Sequence, residues 1–260
     1  MFTLFKRLIT LLLLGSMLQA TLLSAKEYSK IELLELAGQQ RMLSQRIAKD
    51  YFYIGQGVNV SKATKQLKLS LQTFNKSQHI LSKNIQDDEI QNMLMFVDMS
   101  SDDFTSIVKE PYSLDNAALI LDLSESMLEG SQYVVDALEE KVKAHSSTLV
   151  DLAGKQRMLS QRIAKYYISY QAGIKDKNSI VQMQEAVKSF NKANDLLMAN
   201  KSNTPAINAQ LKRVNRLWKI VYKFYLNIEK GGLPIIVYNS TDDIMNKMNK
   251  ITKMYIQLEK

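Results

Sequence analysis

No cysteine occurs anywhere in the 260 residues, which excludes a disulfide framework and a thiolate metal site. It says nothing against an oxidising compartment. Proline is scarce, with three residues, and glycine numbers nine. A β-rich fold needs many more turn residues than that, so the natural reading is all-α. The two histidines, His79 and His145, stand alone and lack the spacing of a metal pair. There is no Gly-rich phosphate loop, no nucleophile–base set and no metal cluster. The chain therefore reads as a non-enzyme without a cofactor.

Only Leu8–Leu23 forms a long apolar run. It follows Lys6 and Arg7 and is closed by Ala20 or Ala25, so residues 1–25 read as a secretory signal peptide. An uncleaved N-terminal anchor is the alternative, although Ser16, Gln19 and Thr21 interrupt the run. No second spanning run follows, which leaves no route to a cytoplasmic output domain within this sequence. The expected location is periplasmic. The formal charge is +8, and losing Lys6 and Arg7 with the signal leaves +6. Its lysines are scattered among Asp and Glu along helices, as solvated faces are, and export argues against nucleic acid. A modest positive field favours capture of anions.

What the sequence does have is a repeat. Leu36–Lys49 reads LAGQQRMLSQRIAK and Leu152–Lys165 reads LAGKQRMLSQRIAK, differing only at Gln39 and Lys155. The stretch is rich in strong helix formers. Leu36, Gln40, Leu43 and Ile47 share one side, an ordinary core face. Arg41 lies nearly opposite Leu43, among Ala37, Gly38, Ser44, Gln45 and Ala48. Small residues let another backbone approach, and a glycine inside a helix costs about 1 kcal/mol against alanine, so Gly38 and Gly154 have a packing or binding reason. An arginine among small residues needs an anion, either a carboxylate of the protein or a ligand.

The offset between copies, 116 residues, also pairs Gly57 with Gly173, Phe74-Asn75-Lys76 with Phe190-Asn191-Lys192, Ser124 with Ser240 and Leu128 with Ile244. The mature chain is thus two copies of one unit. Helices are expected over residues 28–56 and 62–84, then from Asp87–Asp88 with an Asp88–Gln91 capping box, and from Ser113 after Pro111. In the second copy Thr204-Pro205 is a cap followed by a first-turn proline, and Gly231-Gly232 with Pro234 replaces Pro111. Between the copies Ser146, Ser147 and Thr148 offer no certain breaker. The favoured reading is one continuous helix from about residue 114 to 172, roughly 85–90 Å long, with the bundles end to end. The alternative is a break there, with the bundles side by side.

The motif resembles that of the PilJ-type periplasmic sensor domain, the N-terminal domain of type IV pili methyl-accepting chemotaxis transducers. It is also similar to the ligand-binding helix of NarX-type nitrate/nitrite sensor kinases, though the residues between glycine and arginine place it closer to PilJ. The resemblance implies tandem four-helix bundles, one in residues 26–143 and one in 144–260. It implies that a small oxyanion, nitrate or nitrite, binds between motif helices, held by Arg41 and Arg157. Ala37–Gly38 and Ala153–Gly154 match the family's small pair. It implies a membrane sensor kinase or chemoreceptor as partner, and a possible homodimer, because the family's anion lies between two subunits.

Gln45 and Gln161 lie on the arginine's side and are candidates to support a ligand; Ser44 and Ser160 offer hydroxyls or bond back to the helix. Arg46 and Arg162 lie about 140° around the helix and read as structural or as interface ion pairs. Trp218, Tyr222, Phe224 and Tyr225 read as bundle core, and the methionines as core filler. The competing function is a structural or assembly protein of the envelope. Motif arginines that meet with no carboxylate nearby favour a ligand; arginines each paired with Asp or Glu favour structure.

Overall fold

The structure, a computed structural model, describes residues 27–142 and 145–258. The signal segment and the junction at Lys143–Ala144 lie outside them. The described residues form eight α-helices and no strand: α1 Lys30–Gly55, α2 Val60–Asn84, α3 Asp88–Ile107, α4 Leu114–Val142, α5 His145–Gln171, α6 Lys177–Ala199, α7 Pro205–Leu226 and α8 Pro234–Gln257, with a 3-10 turn at Ile228–Lys230. None is long and apolar enough to cross a membrane.

The ends follow local chemistry. Ser29 and Glu32 form a reciprocal capping box on α1. Thr204 accepts from the Ile207 N–H and puts Pro205 in the first turn of α7, as expected. At α3 the cap differs from expectation. Asp87, not Asp88, accepts from the Ile90 N–H, because the chain is still extended at Asp87. Gln91 is left free to donate to the Ser82 carbonyl at 2.8 Å, tying α3 to the end of α2.

Helices α1–α4 make one up-down-up-down bundle and α5–α8 a second. Their packing shows in the polar contacts: Arg41 with Gln132 and Gln45 with the Ser124 carbonyl run α1 against α4 in opposite directions. Arg157 with Asn249 and Gln161 with the Thr241 carbonyl do the same for α5 and α8. The expected continuous rod is not found. Arg162 and Lys165 meet Glu125, while Thr148 and Asp151 lie beside Glu139. As numbers rise along α5 they fall along α4, so the two helices are antiparallel. The chain reverses between them and the bundles lie side by side.

That reversal places α1 beside α5, parallel and in register. Each motif helix is therefore shared by both bundles. From Gln40 to Tyr53 every residue is buried except Arg46, and from Gln156 to Tyr167 every residue except Arg162. A helix with one core face and one small face was expected; a helix enclosed on nearly all sides is observed. The main hydrophobic core accordingly runs through both bundles, from Phe52 and Phe74 to Phe190 and Trp218. Trp218 stacks on Phe190 with centroids 4.0 Å apart and donates its indole N–H to Asn191, which places it in the core as read.

Candidate functional site

The register of α1 and α5 brings both motif arginines to one level of one interface. A Cβ on Gly38 would lie 3.4 Å from Arg41 Nη2 and 3.6 Å from Arg157 Nη2. A Cβ on Gly154 would lie 3.3 Å from Arg157 Nη2 and 3.4 Å from Arg41 Nη2. The guanidiniums therefore converge over the paired glycines, and both arginines are among the largest fully buried side chains. The four residues meet within a single chain, between its two copies.

Each arginine is also paired with a carboxylate. Arg41 Nη2 reaches Asp151 at 2.5 Å and Nη1 donates to Gln132. Arg157 Nη1 reaches Glu35 at 2.8 Å and also donates to Asn249. Glu35 and Asp151 are themselves one repeat offset apart, so the two ion pairs are reciprocal: each copy supplies the other's counter-charge. The carboxylates sit at the edge, with 16% and 20% of their side chains exposed. Each guanidinium keeps a buried Nε with no hydrogen-bond partner. An unmade bond on a buried cation is costly, and the same defect recurs in both copies.

The expected supporting residues divide. Gln45 donates to the Ser124 carbonyl, and its buried Oε1 is unpartnered. Gln161 donates to the Thr241 carbonyl and accepts from Lys49. Ser44 and Ser160 bond back to the carbonyls of Arg41 and Arg157, which occupies their protons. Arg162 pairs across the interface with Glu125, as read.

Sequence reading missed the last residue of the motif. Lys49 and Lys165 are fully buried, and each crosses to the final helix of the other bundle. Lys49 Nζ lies 2.6 Å from Asp242, donates to Gln66 and Gln161, and sits 4.2 Å over the Tyr238 ring. Lys165 donates to Ser124 and pairs with Glu125. Burial alone pushes the Glu125 carboxyl up, but Lys165 and Arg162 outweigh it and hold the pKa down to about 2. Asp242 is lowered in the same way, Lys49 and Arg46 overcoming its burial. Asp50 behaves oppositely: it is wholly buried, and desolvation raises its pKa to about 7 despite Lys49. The repeat itself was the available signal, since Glu35 matches Asp151 and Gln66 matches Gln182.

The family described as PilJ, type IV pili methyl-accepting chemotaxis transducer N-term, matches residues 22–91 and 141–229. The chain belongs to that family. Both segments cover a motif helix, and together they take in more than half the sequence, consistent with two tandem PilJ copies. No curated protein and no solved structure matches the chain. PilJ domains are sensory and belong to chemotaxis-transducer signalling. What the fold adds is that the two PilJ copies pack their motif helices against each other inside one polypeptide.

The glycines give a direct check of that interface. Gly38→Ala should be tolerated, because its Cβ meets the guanidiniums at ordinary contact distance and gains about 1 kcal/mol of helix propensity. Gly38→Leu should lower the melting temperature clearly more than Gln39→Leu, since Gln39 is only half-buried. Equal melts for the two leucine variants would mean that the glycine side does not pack.

Proposed function

We propose that this protein is an exported, periplasmic, non-catalytic sensor module for a small oxyanion, nitrate or nitrite by family resemblance. It signals through a membrane sensor kinase or chemoreceptor. The two units divide at residues 143/144, and the anion site lies between them at Arg41 and Arg157, over Gly38 and Gly154. The observation that carries this reading is the convergence of two buried guanidiniums, each with an unpartnered Nε. A planar anion accepts paired bonds from such forks, which stay charged at any relevant pH.

In this reading Glu35 and Asp151 are internal stand-ins for the ligand. An arriving anion takes their place on the guanidiniums and loosens the reciprocal pairs joining α1 to α5. The helices then shift by about 1–2 Å, as helices at interfaces do in switching proteins, and α4 and α8 carry the change outward.

A second reading has an observation of its own. Both arginines are already paired with carboxylates, the outcome that the criterion drawn from the sequence assigns to structure, and it suits an envelope assembly protein that keeps the motif for packing. A thermal-shift series on the mature chain with nitrate, nitrite, sulfate, phosphate and chloride separates the two. A selective rise for one anion, about 2.7 kcal/mol of stabilisation at a hundredfold excess over Kd, supports the sensor. That rise should vanish in Arg41→Ala with Arg157→Ala. A response no larger for any oxyanion than for chloride supports the structural reading.

A further inference from the structure

Helices α3 and α7 hold the same place in the two bundles. Each packs on the second and fourth helices of its own bundle, away from the central α1–α5 pair. Their inward faces match at a spacing of 117, one residue beyond the repeat offset: Leu94, Val97 and Phe104 fall with Leu211, Val214 and Val221, all buried. Their outward faces are opposites. Helix α3 carries five acids, Asp88, Glu89, Asp98, Asp102 and Asp103, and no base. Helix α7 carries five bases, Lys212, Arg213, Arg216, Lys219 and Lys223, and no acid.

All ten side chains are exposed. Among the described residues none of the five bases makes a salt bridge, and of the acids only Glu89 has a side-chain partner, Tyr133. The acidic face is also apolar, since Met95 is 60% and Met99 64% exposed, with Phe96 beside them. By register these face outward where α7 has Lys212, Arg216 and Arg213. Asp98 is raised by partial burial and then by the charge of Asp102 one turn away, so the acids crowd one another.

We propose that α3 of one molecule docks on α7 of a second copy of this chain, head to tail. The two helices have nearly equal length, about 30 Å at 1.5 Å per residue. Arginine stems pack on the methionine thioethers, and a guanidinium covers the Phe96 ring. Each helix packs on the second and fourth helices of its own bundle, and the two faces are different surfaces, so the contact is heterologous and leaves one free acidic face and one free basic face. It propagates as an open array. Solvent-exposed ion pairs are individually weak, so the association is weak and sensitive to salt.

Sedimentation velocity of the mature chain tests this. Concentration-dependent association is expected at low salt and its loss at about 1 M, where screening acts within ~3 Å. An α3 variant (Asp98→Lys, Asp102→Lys, Asp103→Lys) and an α7 variant (Lys212→Glu, Arg216→Glu, Lys219→Glu) should each be monomeric with a native circular-dichroism spectrum. Mixed together they should associate again, which two unfolded variants could not do. A wild type that stays monomeric at low salt overturns the proposal, as does association that survives either reversal or is not restored by mixing. A monomer whose α7 face instead binds vesicles of anionic lipid would assign that face to a membrane surface and equally overturn it.

Discussion

Replacing Lys49 by Met should cost the folded chain about 3–5 kcal/mol at neutral pH, the expected loss when one partner of a buried ion pair is removed. Methionine keeps most of the volume, so the loss is electrostatic. Asp242 is left inside the protein with Gln66 and, at 3.5 Å, the more exposed Lys62. Urea melts of the variant measure it directly, and a loss below about 1 kcal/mol would mean that the ammonium is reached by water. Asp50→Asn should act in the opposite direction. The Asp50 carboxyl is raised from 3.8 to about 7 by burial. Folded protein therefore holds a proton there that unfolded chain has lost. Stability is full below the unfolded value, falls as pH rises from about 4 to about 7, and is flat above. Asparagine removes that slope and should stabilise the protein at pH 8, with an upper bound on the order of 4 kcal/mol. The second copy already has an uncharged residue at this place, Tyr166. An asparagine variant that kept the wild-type slope would assign the titration to another group.

The repeat and the eight helices were legible because both are written locally. Helix formers, caps and stops act within a few residues, and the offset of 116 needs only counting. The arginines and glycines were legible for the same reason: small residues around a charge are visible on one helix. What was hidden depends on the partner. Glu35 lies six residues before Arg41 and points away from it on its own helix, so the pairing exists only once α5 is alongside in register. Lys49 reads as a solvated end to an amphipathic pattern, because a long cationic chain usually is. It is buried because the motif helix belongs to two bundles and has almost no solvent side. The rod was favoured because Ser146, Ser147 and Thr148 do not forbid a helix. The antiparallel placement of α4 and α5 is favoured instead by what it permits: two enclosed motif helices packed in parallel rather than two small faces left in water.

Glu35→Gln with Asp151→Asn should separate the sensor from the scaffold more sharply than any change to the arginines. Removing the arginines strands two carboxylates and destabilises the protein under either reading. Removing the carboxylates leaves two adjacent, buried guanidiniums with no charge to balance them. In buffer without small oxyanions the variant should lose up to about 3–5 kcal/mol for each broken pair, moderated because Glu35 and Asp151 are partly exposed and their amide replacements still accept one hydrogen bond. The readings then diverge on adding anion. If the carboxylates are internal competitors for a ligand site, the variant has lost its competitors and gained unmet positive charge. Nitrate or nitrite should bind it more tightly than wild type and restore much of the lost stability, following RT ln(1 + [L]/Kd). The melting shift should then be larger in the variant than in wild type, and larger for the cognate oxyanion than for chloride at equal ionic strength. If the pairs are only packing, added salt screens the two guanidiniums alike whatever the anion. A recovery that tracks ionic strength alone, with no preference for an oxyanion, would mean that the paired arginines hold the two bundles together and bind nothing.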